Sequence, residues 1–322
     1  IILNFMNILV TGSAGFIGYH LVNQLLKTNN KIYGCDNLSS LSSKTQKIRF
    51  RLLKKKKIFD FKKFDLKNYS KFSKYYQTKK IDIIIHLAAQ PGVRISQNKP
   101  LKTIDQNIKT FVNLMEFCKD NNIKNFFYAS SSSIYGNENK FSENVTQKNV
   151  SSIYAATKVC NETFANVYNY LYEINTLGLR FFTVYGPLGR EDMAYFKFLK
   201  QIKKDKKIRI YGDKNSIRSF TYVDDVTKSI ILLMNKFTKK SKYNECFNIG
   251  NYKKNSLNDL VNTIKKFYSK DFSEEIIDRN KADVFKTHSS ILKLKKSINF
   301  YPKTNLEKGM KKFIEWFKKP KY

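Results

Sequence analysis

Nine residues near the start, Val10-Thr11-Gly12-Ser13-Ala14-Gly15-Phe16-Ile17-Gly18, restrict the fold more than any other stretch. The apolar run Ile8-Leu9-Val10 reads as a short buried strand. Beyond the turn, Phe16, Ile17, Leu21, Val22, Leu25 and Leu26 recur at helical spacing. Strand, glycine turn and helix make a phosphate cradle. Gly12 permits the tight turn, Gly15 lets the backbone approach a pyrophosphate, and Gly18 lets the helix pack close to the strand. The helix N-terminus adds free N–H groups and a partial positive charge. A second strand, Lys31 to Cys35, ends in Asp36, 24 residues after Gly12. That is close to the separation expected of a carboxylate that holds a ribose hydroxyl pair. Glycines alone are a weak signal, but here the flanks agree. The reading is a dinucleotide site; its competitor is a structural turn in another α/β domain.

The rest of the chain extends this start. Asp65 and Leu66 end a third predicted strand, where the aspartate can meet an adenine. Ile81 to Leu87 is an unbroken apolar strand, and Ala88 and Ala89 after it are small enough for a cofactor to pass. A helical pattern covers 101–120, a strand covers Asn125 to Ala129, a helix covers 152–172 and a strand covers Thr176 to Arg180. This repeated strand-helix order predicts an α/β protein with a Rossmann-like, doubly wound parallel sheet. After Tyr185-Gly186-Pro187 the pattern changes, with helices expected over 193–204, 225–236 and 256–269 and strands over 207–211 and 245–249. The expected division is a dinucleotide-binding domain over 6–182 and a smaller C-terminal α/β substrate-binding lobe over 183–322. The lobe is expected to share contacts with the sheet, and an amphipathic helix with Trp316 and Phe317 ends it.

Composition narrows the partners. The net charge is +34, which suits a nucleic-acid binder, yet only eight of the 60 basic residues are arginine and the lysines are spread along the chain. The densest run, Lys54 to Lys57, lies between predicted strands. No nucleic-acid partner is expected, but a positive field favours an anionic substrate. No apolar run is long enough to span a membrane. No export signal is expected, Ile1 to Phe5 being set aside as a leader before Met6, so a cytoplasmic location is expected. Cys35, Cys118, Cys160 and Cys246, and His20, His86 and His288, are too scattered for a metal site.

Tyr154 and Lys158 stand four residues apart, on one face of the helix over 152–172. A phenol of ordinary pKa, about 10, is a poor base at neutral pH. A nearby ammonium favours the phenolate, as would a positively charged nicotinamide. Such a tyrosine can take a proton from an alcohol while hydride leaves the carbon. A hydroxyl from Ser131 or Ser132 can hold the reacting oxygen. The competing reading is a solvated Tyr/Lys surface pair.

With Gly12-x-x-Gly15-x-x-Gly18, Leu87-Ala88-Ala89, Ser131-Ser132-Ser133-Ile134-Tyr135-Gly136 and Tyr154-x-x-x-Lys158 in place, the chain resembles the extended short-chain dehydrogenases/reductases. More narrowly, it is similar to the NAD-dependent nucleotide-sugar epimerases and dehydratases, from Met6 to Phe317. Dehydratases of that group carry an Asp-Glu pair where this chain has Ser132 and Ser133, and UDP-glucuronate decarboxylases usually carry a Glu at the second position. Epimerisation at C4 is what the resemblance leaves. Arg180 to Ala194, RFFTVYGPLGREDMA, resembles UDP-glucuronate 4-epimerases.

The resemblance implies tightly bound NAD, regenerated each turnover, at Gly12, Ala14, Gly15, Phe16, Ile17, Gly18, Asp36, Asn37, Asp65, Leu66, Leu87, Ala88, Ala89, Tyr154 and Lys158. It implies Tyr154, Lys158, Ser131 and Ser132 as catalytic residues. Lys158 would lower the tyrosine pKa and hold the nicotinamide ribose. For a UDP-sugar substrate it implies Ser131, Ser132, Ser133, Arg94, Thr183, Arg190, Tyr211, Arg218 and Asp283. Thr183 and Arg190 would meet the sugar carboxylate or its neighbours, and Arg218 the diphosphate. It also implies a homodimer built on the helices over 101–120 and 152–172. Three places depart from the family pattern: Leu188-Gly189-Arg190-Glu191 for Trp-Gly-Arg-Pro, Arg218-Ser219-Phe220 for Arg-Asp-Phe, and Lys281-Ala282-Asp283-Val284 for Pro-Gly/Ala-Asp-Val. A 4-epimerase for UDP-glucose or UDP-N-acetylhexosamine is the nearest rival. A non-catalytic NAD-sensing regulator is a rival of another class.

Overall fold

Isoleucine, leucine, valine and phenylalanine fill both faces of the inner strands, and that double burial sets the architecture. Ile8, Val10, Ile83, Ile85, Phe127, Leu177 and Leu179 enter one hydrophobic cluster, while Leu9, Ile84, Phe126 and Tyr128 enter another. Strands buried on both faces read as unbroken apolar runs and need helices on each side. The computed structural model describes residues 5–39, 43–137, 141–145, 149–278 and 286–319.

In chain order the first half runs β1 (Asn7–Thr11), α1 (Phe16–Leu25), β2 (Lys31–Asp36), α2 (Lys44–Lys54), β3 (Asp60–Lys63), α3 (Tyr69–Tyr76), β4 (Ile83–His86), α4 (Val93–Asn98), α5 (Pro100–Ile104), α6 (Thr110–Asp120), β5 (Asn125–Ser131), α7 (Ile153–Tyr172) and β6 (Asn175–Phe181). The second half runs β7 (Thr183–Tyr185), α8 (Ala194–Lys203), β8 (Ile208–Tyr211), β9 (Ile217–Arg218), β10 (Phe220–Tyr222), α9 (Val223–Phe237), β11 (Asn244–Ile249), β12 (Asn255–Ser256), α10 (Leu257–Phe267), β13 (Glu274–Ile277), α11 (Leu292–Ile298) and α12 (Leu306–Phe317). The main sheet is wholly parallel, in the order β11-β6-β5-β4-β1-β2-β3. Strand order reverses between β1 and β4, and the crevice at their carboxyl ends is where such sheets take ligands.

Two features differ from the sequence reading. The segment over 245–249, assigned there to the smaller lobe, pairs with β6 as an outer strand of the main sheet. β6 is buried at all seven positions, so both its edges need a neighbour. The chain therefore returns to the sheet after residue 183, and α9 packs against α1. The helix over 101–120 is interrupted by a π turn, Asp105–Lys109. Asn107 inside it is fully buried, accepts from the Gln90 N–H at 2.7 Å and donates to the Thr157 hydroxyl at 3.0 Å. It thus ties the loop after β4 to α7. A third cluster, with Tyr185, Tyr195, Phe196, Leu260 and Phe313, holds α8, α10 and α12 together beyond the sheet.

Candidate active site

The glycine turn is steric in its demands. Gly12 has φ +69°, and a Cβ there would lie 2.6 Å from the Ala88 nitrogen. A Cβ on Gly18 would lie 2.2 Å from the Gly12 carbonyl oxygen. Ala88 therefore rests on the turn, with Leu87 and Ala89 beside it after β4. Gly15 is the N-cap of α1; no side chain caps this end and no acidic residue stands in its first turn, where Phe16 and Ile17 begin the helix. Its N–H groups and positive end are open to an anion.

Asp36 ends β2 beside the turn, accepting the Ala14 N–H at 3.1 Å and the Leu38 N–H at 2.8 Å. Burial raises its pKa, opposed by these backbone donors and by Arg49. A carboxylate has about four acceptor positions, so capacity is left for a pair of ribose hydroxyls. Its charge would repel a phosphate on the 2′ position. Further along the crevice, Asn37 accepts the Ser39 N–H, Asp65 accepts the Lys67 N–H, and the buried Leu66 has its carbonyl held by Asn113. The open helix end, the close-packed turn and the carboxylate at the end of β2 fit an NAD-type dinucleotide.

Ser131 is the last residue of β5. Its hydroxyl accepts the Ser133 N–H at 3.1 Å and donates to the Ser133 hydroxyl at 3.1 Å, starting a 3-10 turn that also holds Ser132. Ser152 caps α7 by accepting the Ala155 N–H, and this sets the angle at which Tyr154 and Lys158 leave the first turns. Tyr154 is half-buried. Desolvation raises its pKa, while the Arg190 guanidinium and a hydrogen bond with Ser131 draw it down. Lys158 is buried, donates to the Ala129 carbonyl at 2.9 Å, and stands 5.8 Å from the centre of the Tyr154 ring. Burial lowers its pKa to about 8, against the opposing charge of Glu162.

The Lys158 ammonium is turned to the Ala129 carbonyl of β5 and also lies over the Tyr154 ring, and Arg190 adds a second positive charge that draws the phenol's pKa down.

Arg190 donates from Nε and Nη2 to both oxygens of Asp192, at 3.0 and 2.6 Å. Thr183 opens β7, half-buried. Arg94 on α4 stacks over the Tyr211 ring, 4.3 Å from its centre, so two residues far apart in sequence form one unit. Arg218, in β9, donates to the Ile217 carbonyl at 2.8 Å. Asp283 lies outside the described residues.

The sequence reading missed the supports beneath these groups. Arg180, on β6, makes a two-point ion pair with Glu162, at 2.9 and 2.8 Å, and the Ser130 hydroxyl donates to the same carboxylate at 2.6 Å. The spacing of Glu162, four residues after Lys158 on one helix face, was the available signal. Glu191 and Arg49 were also missed, because their partners are remote in sequence.

Residues 8–250 match the NAD dependent epimerase/dehydratase family. The chain belongs to that family. A UDP-glucuronate 4-epimerase of Thermodesulfobacterium geofontis is 38% identical over 313 residues, covering 96% of this chain and 95% of the relative. The crystal structure of the UDP-glucuronic acid 4-epimerase from Bacillus cereus, in complex with UDP-glucuronic acid and NAD, superposes with a TM-score of 0.89 at 33% identity, covering 97% of this chain and 99% of that one. The UDP-glucose 4-epimerase of Thermotoga maritima with UDP-glucose gives a TM-score of 0.86 at 28% identity, covering 97% and 98%. The family match ends just past β11, so the return of the chain to the sheet falls inside the family's shared segment. These full-length relatives extend the likeness through α10 to α12.

Proposed function

We propose that this protein is an NAD-dependent UDP-sugar 4-epimerase that interconverts UDP-glucuronate and UDP-galacturonate through a transient 4-keto sugar. The observation that carries the reading is Arg190, which the loop after β7 brings near enough to Tyr154 for its charge to draw the phenol's pKa down. In this reading the glycine turn takes the diphosphate of NAD, Asp36 the adenosine ribose, and Asp65 and Leu66 the adenine edge. Bound NAD supplies an acceptor for the C4 hydride and returns the same hydride. Tyr154 removes the proton from O4 and later gives it back, with Ser131 hydrogen-bonded to the same oxygen. Lys158 holds the nicotinamide ribose and anchors α7 on β5. Arg190, with Thr183, orients the sugar carboxylate and so restrains loss of CO₂ from the β-keto acid. Arg218 and the Arg94–Tyr211 stack serve the UDP portion. Ser132 and Ser133 stand where an eliminating enzyme needs acids, which favours returning the hydride over expelling water.

The reading also includes a dinucleotide-binding part, to which β11 contributes, a smaller part around the third cluster, a cytoplasmic location and a homodimer. Exposed apolar side chains support the dimer: Leu101 and Ile104 on α5, and Tyr170, Leu171 and Tyr172 at the end of α7. Among the described residues no helix is long and apolar enough to cross a membrane.

The test is incubation of purified protein with a panel of UDP-sugars, without added NAD, followed by NMR of the C4 configuration. Inversion of UDP-glucuronate is expected. Inversion of UDP-glucose or UDP-N-acetylglucosamine alone would favour the neutral-sugar reading, and no inversion of any sugar would favour a sensor. Arg190→Ala is expected to lower kcat/KM for UDP-glucuronate about 10²-fold, the loss of a charge-assisted contact to the sugar carboxylate. Equal losses on UDP-glucuronate and UDP-glucose would contradict the carboxylate role.

A further inference from the structure

Residues 44–57 hold eight basic residues in a stretch of 14, against 60 in all 322 residues, so this stretch is about three times as basic as the chain around it. No Asp or Glu stands between Asn37 and Phe59. In the fold the stretch is α2 and the turn after it. Arg49 is buried, while Arg51, Lys54, Lys55, Lys56 and Lys57 are exposed. Ile58, next in the chain, is 71% exposed. A single exposed isoleucine is ordinary on a protein surface. One that continues a run of four exposed lysines makes an amphipathic tip.

The topology gathers more lysines beside that tip. α2 runs back from the carboxyl end of β2 to the amino end of β3, so Lys54 to Ile58 stand at the amino ends of the parallel strands. Lys31 opens β2, and Lys79 and Lys80 lie just before β4. A groove of about 410 Å³ on this face is lined in part by Lys31, Asp60, Lys79 and Lys80. Two carboxylates stand at the same strand ends. Asp60 accepts the Tyr75 hydroxyl at 2.9 and 3.0 Å, and Asp82 accepts the Asn7 N–H at 2.7 Å. Seven lysines against these two leave the face strongly positive. The dinucleotide crevice lies at the other ends of the strands. β2, six residues long, spans roughly 17 Å, so a flat surface pressed on the amino ends leaves the crevice open.

We propose that this face, with Lys54 to Lys57 and Ile58 at its tip, docks the protein on an anionic lipid bilayer. Basic clusters of this size are drawn to anionic headgroups. Ile58 enters the boundary between headgroups and acyl chains, where an apolar side chain is favoured. A nucleic acid fits the face less well. Arg51 is the one exposed arginine of the stretch, and Ile58 offers a phosphate backbone no contact. The docking is peripheral and salt-sensitive, because exposed charges are screened within about 10 Å at ~0.1 M salt.

The test is co-sedimentation of the full chain with vesicles of phosphatidylcholine alone and of phosphatidylcholine with about 30% phosphatidylserine. Binding is expected only to the second, and about 0.5 M NaCl should release it. Replacing all four lysines, Lys54→Gln/Lys55→Gln/Lys56→Gln/Lys57→Gln, is expected to weaken it about 10²-fold. Ile58→Ser should weaken it about fivefold. The control, Lys303→Gln/Lys308→Gln/Lys311→Gln/Lys312→Gln, removes the same charge from exposed positions elsewhere, Lys303 lying beside the first turn of α9. It should weaken binding less than about threefold, since charge beyond a Debye length is screened. Melting curves check that each variant is folded. If the four-lysine variant does not fold, Lys55→Gln/Lys57→Gln reads the same loss at about tenfold. Equal losses in the two four-lysine variants would assign the binding to net charge and overturn the proposal. Binding to neutral vesicles as tight as to anionic ones overturns it too. So does binding of a short DNA duplex at the same salt, weakened by the Lys54–Lys57 changes, with no binding to the anionic vesicles.

Discussion

Tyr154→Phe is expected to lower turnover about 10²–10⁴-fold, the usual contribution of a positioned acid-base group. NAD content and UDP-sugar affinity should stay near wild type, because the ring still fills the same half-buried place above Lys158. The physical reason is specific to the hydroxyl. Desolvation holds it neutral in the resting protein, and two neighbours, Arg190 and Ser131, already draw it toward the phenolate. Removing one oxygen takes away the proton acceptor without opening a cavity. Single-turnover NMR with UDP-glucuronate, alongside extraction of bound NAD, checks both halves. Inversion at a tenth or more of the wild-type rate would move the acid-base role to another group.

The second large effect is on stability. Arg180→Met should destabilise the fold by about 3–5 kcal/mol, because it strands a buried carboxylate. The two side chains are only 4% and 10% exposed, and they meet at two points. Arg180 also donates to the Tyr135 hydroxyl at 2.9 Å, and that hydroxyl donates to Asn248 at 2.7 Å, so the network joins β6, the turn after β5 and β11. For a chain of this size the melting temperature should fall by about 4–7 °C. The double variant Glu162→Leu/Arg180→Met should recover much of the loss, since an apolar pair needs no counter-charge. Urea unfolding of the three proteins measures this, and a single-variant loss under about 1 kcal/mol would mean that water reaches the pair. Because Glu162 also faces Lys158, the single variant should disturb activity even where it remains folded.

Much of the site was legible because local rules decide it. The glycine turn, Asp36 at the end of β2 and the Tyr154/Lys158 spacing on α7 are consequences of strand and helix geometry over short stretches. The residues assigned to the substrate are different. Arg94 and Tyr211 were both singled out, but only the fold stacks them. Lys158 was singled out too, but its hold on the Ala129 carbonyl of a neighbouring strand is made only by the fold. The strand over 245–249 was recognised as a strand, but its pairing with β6 was not legible, since an isolated apolar run carries no label for the sheet it will join.

The sequence by itself determined the parallel sheet, the phosphate-cradling turn and a phenol and an ammonium on one helix face. These follow from periodicity, from glycine's missing Cβ and from a helical repeat, all readable within a few turns of chain. Tertiary structure alone decided which charge acts on that phenol and which groups support it. Arg190 comes from a loop beyond β7, Glu162 is neutralised from β6, and Glu191 closes α2 from the far side of the crevice. Charges act through space over a few ångströms whatever their separation along the chain, so their pairing appears only when the chain is folded.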